Sequence, residues 1–185
     1  MMPNKTYRNG DERMRTQKVV VLPYDKQWKQ DFLDIKKELA DALEDLYISI
    51  EHVGSTSVEG LAAKPIIDID VVMRENVSLE TIVQRLLLIG YHHEGNLGIE
   101  GREAFKYSGK PHLRTHHLYV CPHDSKELKR HLIFRDYLKT YPDDRETYSL
   151  VKYTAAKLFP EDIDKYIEYK SPCIEEIYKK CGLMS

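Results

Sequence analysis

The stretch at residues 64–73, KPIIDIDVVM, constrains this chain more than any other. Its density of isoleucine and valine favours an extended strand, and Pro65 excludes a helix running into it from the preceding residues. A strand alternates its side chains, so Asp68 and Asp70 share one face while Ile67, Ile69 and Val71 share the other, buried one. Two carboxylates this close repel and raise each other's pKa unless a cation intervenes. A pair of hard oxygen ligands is what Mg2+ takes when phosphates supply the rest of its shell.

The segment just before it sharpens that reading. Ile48, Ile50 and His52 alternate with Tyr47, Ser49 and Glu51, which predicts a strand running into Gly54. Glycine at a strand end lets backbone approach a ligand, and successive N–H groups there cradle phosphate. Ser55, Thr56 and Ser57 add hydroxyls, and Lys64 either neutralises phosphate or pairs with an aspartate. A phosphate turn followed by a metal-binding Asp-Ile-Asp strand supplies parts for metal-assisted phosphoryl or nucleotidyl transfer.

Around this centre the pattern predicts an α/β chain of the α+β kind. Residues 1–16 read as a loose polar leader and 17–185 as one domain. Residues 19–22 read as a short strand or extended entry ended by Pro23. Trp28, Phe32, Ile35, Leu39, Leu43 and Leu46 mark one stripe of a long helix, with Asp25 as its N-cap. Ser78 caps a second helix that stops at Gly90. EAFKYS and THHLYVC are expected to pair as antiparallel strands. From about residue 124 the chain turns helical, with helices predicted to about 141, over 143–159, and from Ser171-Pro172 to before Gly182.

Composition excludes several classes. The formal charge of -2 gives no global basic field, so nucleic-acid binding is not indicated by charge. The three cysteines form no CxxC pair and, with no secretory core and no long apolar run, fit a cytoplasmic protein without a membrane span. Six of eight histidines fall at 92–123, yet their spacing matches no zinc-hydrolase motif, and adjacent pairs point to opposite faces. The tyrosines of the C-terminal third recur at helical intervals, which packing explains.

A Gly-Ser turn followed by acid, hydrophobe and acid on a strand is similar to the signature of the polymerase-beta-like nucleotidyltransferase superfamily. The longer string EHVGSTSVEGLAAKPIIDIDV, with PYDKQW before it and HHLYV and FRDYL after it, resembles the GrpB family over residues 19–169. The resemblance implies a mixed sheet flanked by helices, with a helical C-terminal section. It implies that Gly54 and Ser55 hold a nucleoside triphosphate and that Asp68 and Asp70 bind Mg2+ or Mn2+. The implied reaction moves a nucleoside monophosphate onto an unknown small-molecule or macromolecular acceptor; the alternative is a noncatalytic nucleotide-binding or regulatory module. The superfamily carries a third carboxylate on a later strand, whereas THHLYV offers His116, His117 and Tyr119. Either Glu103 from a neighbouring strand or His117 takes that part.

Overall fold

The computed structural model describes residues 18–184; the leader assigned to 1–16 lies outside them. Helix α1, Gln27–Leu43, forms because Trp28, Phe32, Ile35, Leu39 and Leu43 fall on one side at helical spacing, and all five are buried. Asp25 accepts the Gln27 N–H through its side chain at 2.9 Å, so it satisfies a free donor at the helix start. Strands β1, Tyr47–Val53, and β2, Ile67–Met73, follow, joined through a single 3-10 turn at Ser55–Ser57. Helix α2, Leu79–Leu88, is capped by Ser78, whose hydroxyl accepts from the Thr81 N–H. Then come β3, Tyr91–Gly95, β4, Glu103–Tyr107, and β5, His116–Pro122. Helices α3, Lys126–Thr140, α4, Pro142–Leu158, and α5, Ile163–Lys180, complete the order.

The strands form one sheet in the order β1-β2-β5-β4-β3. β2 and β5 run parallel and the other neighbours antiparallel, including the expected β4–β5 pair. Side chains of Ile67, Ile69, Val71, Leu118 and Val120 pack with α1 and α2 into the main core. By alternation Asp68, Asp70 and Val72 point to the opposite face. There Val72 and Cys121 meet Leu128 of α3 in a smaller cluster.

Three local readings are sharpened or corrected. Of the two readings of 19–22 the extended entry holds: the segment makes an isolated bridge, Leu22 to Ala63, and no strand. β3 was absent from the sequence reading, because its YHHEG pattern is polar and only Tyr91 is buried. Pro172 does not open the last helix: α5 begins nine residues earlier, where the Asp162 carboxylate accepts the Lys165 N–H, and carries Pro172 inside it.

Candidate functional site

The site lies on the sheet face opposite α1 and α2, at the start of β2 and β5. Gly54 adopts φ 68°, a left-handed conformation that glycine reaches without strain. A β-carbon there would overlap the Asp68 carboxylate, so glycine is what lets the turn close onto the strand. The parallel register sets His117 beside Asp68 and Tyr119 beside Asp70. His117 Nδ1 lies 2.9 Å from Asp68 Oδ1. Burial pushes the Asp68 carboxyl up, but the His117 hydrogen bond and the nearby charges of His117, His131 and Lys64 outweigh it and hold it below its ordinary value.

A cavity of about 210 Å³ opens here, lined by Ser55, Thr56, Lys64, Asp68 and His117 from the sheet side. Lys152 of α4 and Tyr166 and Lys170 of α5 close it from the C-terminal helices. The Lys152 ammonium donates to Ser55 Oγ and to the Ala62 carbonyl, each at 2.6 Å, and lies 4.2 Å from the Tyr148 ring centroid. Burial, then repulsion from Lys170, pushes the Lys152 pKa well down. Burial and repulsion from Lys64 bring Lys170 down to about 8. Both lysines bear a cost of confinement that an anionic ligand would relieve.

Not every expected residue serves this cavity. Thr56 lines it but donates to the Ile66 carbonyl, and Ser57 donates to the Gly54 carbonyl, so those hydroxyls also hold the turn itself. Asp70 shares a face with Asp68 but is fully buried, outside the cavity lining, with Oδ2 2.7 Å from His131 Nδ1. Among the described residues, its other oxygen, Oδ1, finds no hydrogen-bond partner. Glu103 is placed apart: β4 registers it against Val120, on the α1/α2 face, and His93 holds it at 2.6 Å. An assisting role for Glu103 beside Asp68 does not fit that placement.

Sequence reasoning missed Lys152, Lys170 and His131, which stand on helices far along the chain. Lys152 did carry a signal: it interrupts the buried stripe Tyr148, Ser149, Lys152 and Ala155 of α4. It also overlooked Glu51 as a site-face acid; the register sets it beside Asp70, where Arg135 of α3 binds it at 2.9 Å. Among the described residues, no three His, Cys, Asp or Glu side chains are gathered round one point. The unpartnered, buried Asp70 Oδ1 and the oxygen-rich chemistry of the aspartate pair nevertheless fit a divalent cation.

The fold is that of the polymerase-beta-like nucleotidyltransferases. A cytoplasmic RNA terminal U-transferase superposes with a TM-score of 0.53 at 15% identity, covering 74% of this chain and 43% of that one. The chain belongs to the GrpB family, whose model, described as GrpB protein, matches residues 18–180. The crystal structure of conserved protein GrpB from Enterococcus faecalis is 36% identical with a TM-score of 0.77, covering 88% of this chain and 96% of that one. UPF0157 protein YqkA of Bacillus subtilis is 34% identical over 85% of this chain, which spans 46% of that relative's length. Glutamate-rich protein GrpB of Alkalihalophilus pseudofirmus is 32% identical, with 86% of this chain and 93% of the relative covered.

Proposed function

We propose that the protein is a metal-dependent nucleotidyltransferase, moving a nucleoside monophosphate from a triphosphate to an acceptor hydroxyl. The observation that carries this reading is convergence: Ser55 of the turn, Asp68 and the lysines Lys64, Lys152 and Lys170 meet at one cavity. Three lysines against one lining carboxylate suit a polyphosphate. The cavity is smaller than the roughly 300–1,000 Å³ that encloses a drug-sized ligand. It would hold the phosphates while the nucleoside extends outward.

In this reading the acceptor oxygen forms a bond to the α-phosphorus and the bond to the β-phosphate bridging oxygen breaks, releasing pyrophosphate. Ser55 and the lysines bind the leaving phosphates. Asp68 and Asp70 would hold Mg2+ or Mn2+, which when bound neutralises developing phosphate charge. The His117 imidazole, oriented by Asp68, takes the acceptor's proton.

A second reading is favoured by one observation: β5 presents His117 and Tyr119 beside the aspartates and no carboxylate. A noncatalytic nucleotide-binding module would keep the cavity and release nothing. Incubation with each triphosphate, Mg2+ or Mn2+ and a metabolite extract separates the two. The transferase should release pyrophosphate, and Asp68→Asn should abolish that release. Tight triphosphate binding without pyrophosphate would decide for the second reading.

A further inference from the structure

Two lysines reach the cavity from the C-terminal helices, and they are held differently. Lys152 is fixed between Ser55 Oγ and the Ala62 carbonyl. Lys170 of α5 has no hydrogen-bond or ion-pair partner among the described residues. Its ammonium lies 5.0 Å from the Tyr166 ring centroid, and both side chains line the cavity. Burial and then Lys64 bring its pKa to about 8, so a larger share of it is neutral amine at neutral pH than in an exposed lysine. A neutral, unbonded amine facing a cavity is a nucleophile.

The groups around that amine select its electrophile. Lys64, Lys152 and Ser55 line the same cavity and suit a phosphate. A volume of about 210 Å³, below the roughly 300–1,000 Å³ of drug-sized sites, takes whole only a ligand of few heavy atoms. A small acyl phosphate meets both conditions, with an anion for the fixed cations and, bonded to it, a carbonyl carbon for an amine to attack. Its phosphate is also the leaving group, so the cations that seat it stabilise the charge it carries away. A phosphorylated aldehyde would be anchored by the same cations but would draw no such help at its reacting bond.

We infer that Lys170 is a modification site, acylated inside the cavity by a small acyl phosphate, and that the loss of its charge weakens the cavity's hold on anions. In this step the neutral amine attacks the acyl carbon. The C–N bond forms, the C–O bond to phosphate breaks, and the departing phosphate takes the amine proton. The products are an amide and inorganic phosphate, with no oxidation or reduction and no further reactant. An amide carries no charge, so Lys64 and Lys152 are left as the cavity's lysine cations. The inference goes beyond the transferase reading: it needs a cavity that holds phosphate, and neither nucleotide nor metal.

The test uses the full wild-type chain and acetyl phosphate at neutral pH, without nucleotide or metal, and reads acetylation rates by peptide mass spectrometry. The exposed Lys129 and Lys165 serve as references within the same molecule. Lys170 should be acetylated at least about tenfold faster than either, because a seated electrophile raises the effective concentration at its amine. Saturating inorganic tripolyphosphate should abolish that preference without slowing the references. Acetic anhydride, which acylates without a phosphate, should show a preference at least about threefold smaller than acetyl phosphate does. A Lys170 acetylated no faster than the references, a preference that survives tripolyphosphate, or one equal for the two reagents would overturn the assignment. For the consequence, Lys170→Gln carries a neutral amide like the acylated side chain and should bind tripolyphosphate about tenfold more weakly by calorimetry. Affinity equal to wild type would remove the effect on anion binding. If Lys170 shows no preference while the wild type still releases pyrophosphate from a triphosphate, the modification falls and the transferase reading stands.

Discussion

At the scale of single residues, Lys152 joins structure to the proposed chemistry. An ammonium only 2% exposed is a poor stabiliser, because burial disfavours its charged form. Its two hydrogen bonds nevertheless tie α4 to the Ser55 turn and to Ala62. Lys152→Met removes the buried charge and the two bonds together, and methionine keeps contact with the Tyr148 ring. The opposing effects should leave apo stability within about 1 kcal/mol of wild type in urea unfolding. Charge-assisted bonds to phosphate contribute about 1.5–3 kcal/mol, so affinity for inorganic tripolyphosphate should fall about tenfold or more by calorimetry. Unchanged tripolyphosphate affinity would show that the lysine serves packing alone. The residues legible beforehand, Gly54, Ser55, Lys64, Asp68 and His117, sit in short stretches where strand alternation and turn chemistry dictate direction. Lys152, Lys170 and His131 reach the site by helix docking, which no local pattern encodes.

At the scale of elements, α3 decides whether His131 stands over Asp70. Its start is fixed by Ser125, whose hydroxyl accepts the Leu128 N–H at 3.2 Å and donates to the Gly101 carbonyl at 2.7 Å. Ser125→Ala loses a cap and leaves a loop carbonyl without that donor, which should lower unfolding free energy by about 1–2 kcal/mol. Urea unfolding measures the loss, and stability within error of wild type would refute the role given to the cap. The helices were legible because their buried stripes repeat every three or four residues, as Trp28 to Leu43 do in α1. β3 was not, since an edge strand of Tyr, His, His, Glu and Gly owes its form to pairing with β4 rather than to its own composition. The start of α5 was misplaced because Pro172 looks like an opening residue, while tertiary packing of Tyr166 and Ile177 carries the helix across it.

At the scale of the whole molecule, buried titratable groups set how stability depends on pH. Burial holds both His52 and His116 at about 4, against 6.5 in the unfolded chain. His52 stacks on Phe32 of the core at 4.6 Å between ring centroids, and His116 stacks on Tyr107 at 4.2 Å. Between pH 6.5 and 4 the unfolded chain binds more protons than the folded one, so stability is full above 6.5 and falls on acidification. Each histidine should account for up to about 3 kcal/mol of that fall, at 1.36 kcal/mol per unit. On the alkaline side Lys170, at about 8 against 10.5, also binds its proton more weakly in the folded state. Its contribution is absent below pH 8 and appears as pH rises through 10.5. Lys152, pushed well down, acts in the same direction, whereas burial raises Cys121 and Tyr166 to about 12, and the stability these two contribute is lost as pH climbs past 9 and 10. Urea midpoints measured from about pH 4.5 to 10.5 should therefore show an acid limb, and the part that belongs to Lys170 is the difference between wild type and Lys170→Met. Between pH 8 and 10.5 wild type should gain stability relative to Lys170→Met, while the acid limb is the same in both because His52 and His116 are untouched. Saturating tripolyphosphate should shrink that gain, since a bound polyanion favours the charged ammonium and brings its folded-state pKa back toward the unfolded value. An alkaline limb identical in wild type and Lys170→Met would mean that this lysine is not confined as the cavity geometry requires.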